Sequence, residues 1–194
     1  MEAFKLQSVA DLLVHPDERV ELIGGEIVHR PMARFAHGRA QGCTFRQLGP
    51  LDSGHGPGGG WWIATEVSVA YETHDCPSHD LAGWRRQRLP RLPEGVIDLP
   101  PDWVCEIVSP GHELKDTRHL PLLLKRHRVP WYWLIWPEAR TLVAYALRDG
   151  EWQTLLTLQA AGPTTGQATD RTRARIPPFD AIELDLADLL GIDG

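Results

Sequence analysis

The alternation of apolar and polar residues predicts strands through most of the second half of the chain. Residues 61–72 alternate over a long run, and residues 79–85 form a shorter run of the same kind. A period of two is typical of strands that bury one face. The dipeptide Asp149-Gly150 separates two later runs, as expected for a tight hairpin turn. Further strands are predicted at residues 102–110, 130–136, 141–149 and 151–159.

The first half of the chain has a different pattern. Ser8 precedes a short apolar helical run, and residues 19–31 predict a β-hairpin that turns at Gly24-Gly25, where positive φ is tolerated. Three-to-four spacing predicts longer helices at residues 35–51 and 116–127. We therefore predict an α+β fold: a mixed β-sheet flanked by helices, with an N-terminal helix and β-hairpin, in a single domain over residues 1–194.

The strand around Glu106 is the most informative run. Because side chains alternate, Trp103, Cys105 and Ile107 face one way, whereas Glu106 shares the opposite face with its valine neighbours. A carboxylate between two valines is costly unless an ion, a basic partner or a raised pKa compensates it. The alternative is an edge strand whose Glu106 face meets water. Apolar residues on both faces favour a central strand and a functional acid.

A second acid for a shared ion must come from a neighbouring strand, because Asp102 lies too far along the same one. Asp80 is the best candidate, and Glu26 on the predicted hairpin is a weaker third. Four strand residues span about 13 Å, whereas the ligands of one Mg²⁺ each lie about 2.1 Å from it. Asp80 and Glu106 are therefore the predicted metal ligands.

Composition and charge narrow the class of protein. The formal net charge of −6 argues against broad coating of nucleic acid, although it allows a local basic groove. Such a groove is a hypothesis for the basic loop after Asp80, which contains Arg85 and Arg86, and for Lys125. No apolar run is long enough for a transmembrane helix, and the N-terminus lacks a secretory pattern. With three scattered cysteines, these features predict a cytoplasmic protein.

The order of motifs resembles the bacterial Uma-type family, which has a restriction-endonuclease-like fold of the PD-(D/E)XK class. The resemblance extends over roughly residues 4–190 and is carried by "VELIGGEIV", "HDLAGWRR", "PPDWVCEIVSP" and "VPWYWLIWPEARTL". It implies a divalent-metal site with Asp80 at the PD aspartate, after His79 instead of proline, and Glu106 at the second acid. The remaining matches are Glu26, less surely Glu21, in the hairpin and His37 at the start of the first core helix.

The lysine of this resemblance is missing. The general motif places this lysine at residue 108, which is valine here. The Uma-type family places it four residues after an aspartate that matches Asp116. That position is Leu120, on the same α-helical face as Asp116. The chain has only three lysines, at positions 5, 115 and 125, and none falls on that face. The sequence therefore predicts a site in which the expected catalytic lysine is missing.

Two functions follow, and the sequence does not decide between them. The first is a divalent-metal-dependent nuclease in which Asp80 and Glu106 hold Mg²⁺ or Mn²⁺ and Glu26 assists. Arg85, Arg86 and Lys125 would then bind an anionic nucleic-acid substrate. The alternative is a catalytically degenerate family member that acts as a binding or interaction module. Family habit and oligomer base rates also predict a homodimer.

Overall fold

A six-stranded mixed sheet forms the centre of the computed structural model, with the strand order β3-β4-β5-β6-β7-β8. The structure describes residues 6–14, 19–30, 32–52, 58–109, 113–160 and 173–192. The strands of the sheet are β3 (Trp61–Ser68), β4 (Ser78–Arg85), β5 (Trp103–Ile107), β6 (Trp131–Trp136), β7 (Thr141–Arg148) and β8 (Glu151–Gln159). These strands confirm the predicted sheet.

The strand β5 is central, as its two apolar faces predict. It pairs antiparallel with β4 and parallel with β6. The predicted alternation is also confirmed: Trp103, Cys105 and Ile107 pack into one hydrophobic core, and Val104 and Val108 pack into the other. Glu106 therefore lies on a strand whose every residue is buried.

Helices cover both faces of the sheet. The helices are α1 (Val9–Leu12), α2 (Phe35–Asp52), α3 (Leu120–Arg126) and α4 (Leu186–Leu189). Buried side chains of α2 and α4 share the core of Trp103, whereas those of α3 share the core of Val104. The structure thus confirms a sheet flanked by helices. Among the described helices, none is both long and apolar enough to cross a membrane.

The N-terminal hairpin is also confirmed. Strands β1 (Val20–Ile23) and β2 (Glu26–His29) pair antiparallel, and Gly24 and Gly25 both have positive φ in the turn. Such φ values favour glycine. A backbone bridge from Leu22 to Cys76 ties the hairpin to the main body. A second small sheet pairs β9 (Arg173–Ala174) with β10 (Leu184–Asp185).

The connection from β5 to β6 contains an unusual helical segment. Lys115–His119 form a π-helical turn, and α3 continues directly from it. Pro121 follows this turn closely and has no N–H to donate, and the Asp116 carbonyl five residues before it accepts a hydrogen bond from the Tyr132 hydroxyl at 2.7 Å. Leu120 and Leu124 are fully buried in the core beneath α3. Turns of this kind are frequent at functional sites, and this one adjoins the cavity described below.

Candidate active site

A cavity of about 350 Å³ opens where the hairpin, α2, β4, β5 and the π-helical turn meet. Acidic and basic side chains dominate its wall. A cavity of this size lies within the usual range of ligand-binding pockets. The lining residues are Arg19, Glu21, Arg30, Met32, Ala33, Arg34, His37, Asp80, Ile107, Ser109, Lys115 and Asp116.

Asp80 and Glu106 lie side by side where the ladder between β4 and β5 ends. The last paired residues are Leu81 and Cys105. Beyond them, each carboxylate accepts a hydrogen bond from the backbone of the other strand. The Asp80 N–H donates to Glu106 Oε2 at 3.3 Å, and the Ile107 N–H donates to Asp80 Oδ2 at 2.7 Å. The structure therefore brings the two predicted acids together.

Glu106 is held away from the cavity by His79. Glu106 is 1 % exposed, and its Oε1 lies 2.6 Å from His79 Nδ1. His79 Nε2 in turn lies 2.9 Å from the Tyr71 hydroxyl. Burial lowers the pKa of His79 to about 3 and raises the pKa of Glu106 well above its ordinary value. With its proton on Nδ1, the neutral ring donates to Glu106 and accepts from Tyr71. Both Glu106 oxygens are thereby used inside the protein.

Asp80, in contrast, faces the cavity with one oxygen. Its Oδ1 lies 3.3 Å from His37 Nε2 and 3.6 Å from an Arg30 guanidinium nitrogen. Burial opposes ionisation of Asp80, but the bonds from His37 and the Ile107 N–H outweigh it and hold the pKa below its ordinary value. For His37, burial disfavours the charged ring, yet the Asp80 carboxylate raises its pKa. Asp80 is therefore an ionised acid in a polar environment.

Lys115 is a cavity residue that the sequence motifs did not identify. Its ammonium enters the cavity, where Nζ lies 3.2 Å from Glu21 Oε2 and 3.8 Å from Asp116 Oδ1. Burial alone would lower its pKa, but the carboxylates of Glu106 and Glu21 raise the pKa above its ordinary value. The two positions at which the resemblance expects a lysine hold Val108 and Leu120, but a lysine from another position lines the cavity. Lys115 lies at the start of the π-helical turn.

Asp116 leaves a polar atom unsatisfied at this cavity. The residue is 4 % exposed, and its Oδ1 accepts no hydrogen bond within the described structure. Burial, reinforced by the charge of Glu106, raises its pKa to about 8. The Lys115 ammonium, 3.8 Å away, is too far to donate a hydrogen bond to it, and a buried oxygen that lacks a hydrogen bond costs about 1–3 kcal/mol. A water, a cation or a ligand atom in the cavity would remove that cost.

Four other predicted site residues lie away from this cavity. Glu26 is exposed on β2, and Glu21 on β1 lines the cavity instead. Arg85 stands five residues after Asp80, about 16 Å along the strand, and its guanidinium covers the Trp61 ring at 4.0 Å. The Arg86 guanidinium stacks on Trp62 at 3.3 Å, and Lys125 forms an ion pair with Glu151 at 2.6 Å. The predicted convergence of these cations on Asp80 is therefore not what the structure shows.

Two residues that sequence reasoning missed reach Asp80 from elsewhere. Arg30 follows the hairpin and contacts both Asp80 Oδ1 and, at 2.5 Å, Glu66 Oε2. Glu66 interrupts β3 with a φ of 53°, a conformation that few non-glycine residues adopt. Gln41 Nε2 donates to Glu66 Oε1 at 2.9 Å and to the Asp80 carbonyl at 2.8 Å. No local signal in the sequence marks either Arg30 or Glu66.

The residues around Asp80 fit a divalent metal ion. Carboxylates and imidazole are common ligands of such ions. His37, Glu66 and Asp80 offer one ligand atom each, all within 4.8 Å of one another, and form such a group among the described residues. The unsatisfied Asp116 oxygen adds a further candidate donor at the same cavity.

The sheet, its flanking helices and the acidic site are features of the restriction-endonuclease-like class. A family profile matches residues 4–171, and the chain belongs to that family, Uma2, described as "putative restriction endonuclease". Solved structures that match include one from Anabaena variabilis ATCC 29413, described as a "putative nuclease belonging to DUF820". It is 23 % identical, with a TM-score of 0.68, and the match covers 95 % of this chain and 98 % of that one. No curated protein matches.

Proposed function

We propose that this protein is a metal-dependent nuclease that hydrolyses phosphodiester bonds at the cavity of Asp80 and Lys115. The observation that carries the proposal is the entry of the Lys115 ammonium into the cavity that Asp80 lines. A carboxylate that can hold an ion and a cation that can stabilise developing negative charge are both useful for phosphodiester hydrolysis. Family membership supports the same activity. The substrate class is nucleic acid, and the ion is Mg²⁺ or Mn²⁺.

The basic residues of the cavity support an anionic substrate. Arg19, Arg34 and Lys115 line it together with Arg30. Guanidinium groups bind phosphate oxygens in bidentate fashion, and such contacts supply most of the affinity for a nucleic-acid backbone. In the proposed complex, Arg19 and Arg34 orient the phosphate. These arginines replace Arg85, Arg86 and Lys125 as the proposed substrate contacts.

The roles of the reacting groups follow from their charges. Asp80 would hold the ion, which when bound lowers the pKa of a water and polarises the phosphate. Glu106 fixes the backbone of Asp80 through its hydrogen bond to the Asp80 N–H. Because neighbouring carboxylates raise the pKa of Lys115, its ammonium stays protonated near neutral pH. Lys115 therefore acts by stabilising developing negative charge and orienting water, and not as a base.

A binding module without catalysis is the second candidate, and Glu106 is the observation that favours it. Its two oxygens are bonded to His79 and to the Asp80 backbone, and it does not line the cavity. In this arrangement Glu106 cannot coordinate an ion in the cavity. The basic cavity would then bind a phosphate-containing partner without cleaving it.

Incubation of plasmid and single-stranded DNA with Mn²⁺ or Mg²⁺ separates the two candidates. The nuclease proposal predicts cleavage that EDTA abolishes and that Asp80→Asn reduces at least about 100-fold, because the ionised acid is lost. Cleavage that survives in the Asp80→Asn protein would refute the assignment. Retarded migration of DNA without cleavage, at any concentration of either ion, would support the binding module.

A further inference from the structure

A second cavity, of about 250 Å³, lies on the same face of the sheet as α3. We call it the aromatic pocket, and its lining includes Thr117, Pro121, Tyr132, Trp136, Tyr145 and Trp152. Three of its four aromatic side chains are only half-buried. None of these residues lines the cavity of Asp80, so the aromatic pocket is a separate space.

The four aromatic side chains come from three adjacent strands. Tyr132 and Trp136 share one face of β6. Tyr145 is the β7 residue paired with Tyr132, and Trp152 lies on β8. Tyr132 is 1 % exposed, and its ring centroid lies 6.5 Å from that of Tyr145 and 6.0 Å from that of Trp152. Tyr132 therefore forms the buried base of the aromatic pocket, and the half-buried rings form its accessible sides.

Two of the four aromatic side chains have polar groups without a protein partner. The Tyr132 hydroxyl and the Trp152 indole N–H donate to backbone carbonyls, at 2.7 Å and 2.9 Å, and these bonds fix both rings. The Trp136 indole N–H and the Tyr145 hydroxyl donate to no residue in the part of the chain that the structure describes. Such groups usually have a partner when they are buried. A flat ligand with polar groups along its edge would offer contacts both to the ring faces and to these two donors.

The π-helical turn separates the aromatic pocket from the cavity of Asp80. Asp116 lines that cavity, whereas the next residue, Thr117, lines the aromatic pocket. The Tyr132 hydroxyl donates to the Asp116 carbonyl, so the base of the pocket contacts the turn directly. The Cα atoms of consecutive residues are about 3.8 Å apart. A nucleotide likewise carries its base one sugar away from its phosphate, so a strand with a phosphate in the cavity can place a neighbouring base in the aromatic pocket.

Positive charge lies on either side of the two residues that separate these spaces. The Lys115 ammonium lines the cavity of Asp80, and Arg118 directly follows Thr117. Arg118 is exposed, and its guanidinium pairs with no acid among the described residues. Lysine and arginine attract the phosphates of a nucleic-acid backbone. The charge of the turn therefore complements a strand that crosses it from one space to the other.

The size and lining of the aromatic pocket suit a single nucleobase. Its volume of about 250 Å³ is below the range of about 300–1,000 Å³ that is usual for drug-sized ligands. Stacking on aromatic side chains is a principal contact of proteins with unpaired bases. A base within a duplex is already stacked and paired, so it would have to leave the helix to enter the pocket.

We propose that the aromatic pocket binds one unpaired nucleobase of a single-stranded nucleic acid, next to the phosphate that the cavity of Asp80 holds. The half-buried rings stack on the base, and the Trp136 N–H and the Tyr145 hydroxyl contact its edge. The protein then favours single-stranded over duplex substrates. This inference rests on the proposed function for the neighbouring phosphate, although the base site is defined without reference to cleavage.

Fluorescence anisotropy in EDTA, which prevents cleavage, compares a short oligothymidylate with a sugar-phosphate strand of the same length that lacks bases. We expect the strand with bases to bind at least about tenfold more tightly, and Trp136→Ala and Tyr145→Ala each to reduce that ratio about fivefold or more. Tyr145→Phe keeps the ring and should lose much less. Trp131→Ala is the matched control, because Trp131 is also half-buried on β6 but packs on the opposite face of the sheet.

Equal binding of the two strands, or binding of neither, would overturn the inference. Self-association of the protein that Trp136→Ala abolishes, together with equal binding of the two strands, would assign the aromatic pocket to a second copy of the chain.

Photo-cross-linking of the unmodified protein guards against variants that fail to fold. Irradiation of a bound strand that contains iodouracil joins the base to an aromatic side chain stacked on it, and peptide mass spectrometry should locate the cross-link at Trp136, Tyr145 or Trp152. Cross-links found only in other peptides would overturn the inference. Asp80-dependent cleavage together with equal binding of the two strands would reject the base site and retain the nuclease. Base-dependent binding without any cleavage would instead reject the nuclease and retain the base site.

Discussion

Two neighbouring titratable residues in this site influence each other's pKa. Lys115 and Asp116 are adjacent in sequence, and both line the cavity. Burial raises the pKa of Asp116 to about 8, whereas the surrounding carboxylates raise the pKa of Lys115. Near neutral pH, the lysine is therefore charged while the aspartic acid is largely protonated. The ammonium also contacts the Glu21 carboxylate, whose Oε2 lies 3.2 Å from Nζ.

The raised pKa of Asp116 predicts a loss of stability at alkaline pH. An unfolded aspartic acid has a pKa of about 3.9, so between that value and about 8 the folded state binds more protons than the unfolded state. Stability then decreases as pH rises, and this contribution is lost as pH passes the folded pKa. The raised pKa of His37 acts in the same direction.

Asp116→Asn, which imitates the protonated acid, should remove the Asp116 part of this dependence. We expect the melting temperature of the metal-free wild-type protein to decrease between pH 6.5 and 8.5, and that of the variant to decrease less. Above about pH 6.5, the unfolded pKa of histidine, the neutral buried His79 no longer contributes an opposing slope. Parallel curves for the two proteins would contradict the raised pKa. Asp180→Asn, at an exposed position, is the control.

At the scale of elements, the π-helical turn decides which side chains reach the cavity. A regular α-helix through residues 116–124 would align Asp116 with Leu120 and Leu124, and that spacing led to the expectation of a missing lysine. In the structure, the turn begins at Lys115, and both leucines lie in the apolar core with no exposure. The lysine therefore enters the site from the start of the turn.

Leu120→Lys should accordingly destabilise the protein and should not create a catalytic residue. It would bury an ammonium among the apolar side chains of α3 and the sheet, at a cost of roughly 3 kcal/mol or more. Leu122→Lys is the matched control, because Leu122 is 65 % exposed on the same helix. Urea denaturation should show a large decrease in unfolding free energy for the first variant and almost none for the second. Equal stability of the two variants would contradict the core position of Leu120.

Local patterns were sufficient for the elements but not for the assembly of the site. Alternation through Trp103–Ile107 correctly predicted a central strand and the faces of its residues, because the period of two is a local property. Arg85 was predicted near Asp80 from closeness in sequence, but an extended strand carries the two apart. Glu66 reaches the site from a mid-strand position with positive φ, and Arg30 reaches it from the end of the hairpin. Neither feature has a periodic signature.

At the scale of the whole molecule, the charge around the cavity differs in sign from the net charge of the chain. The chain carries a formal net charge of −6, whereas the cavity is lined by four arginine or lysine residues and three aspartate or glutamate residues. Local potential of this kind attracts an anionic ligand to one place while the remaining surface repels it. The proposed nuclease would therefore bind phosphate groups at the cavity and would not coat nucleic acid with its whole surface. The predicted homodimer and the single domain over the whole chain stay predictions.

Metal-dependent cleavage of DNA by Lys115→Met is the measurement that tests the central claim most directly. Lys125→Met is the matched control, because Lys125 pairs with Glu151 outside the cavity. The account predicts that plasmid cleavage with Mn²⁺ decreases at least about 100-fold in Lys115→Met, as expected for a lost charge-stabilising group, and is unchanged in Lys125→Met. Equal cleavage by the wild-type protein and Lys115→Met would contradict the assignment of this cavity as the nuclease site.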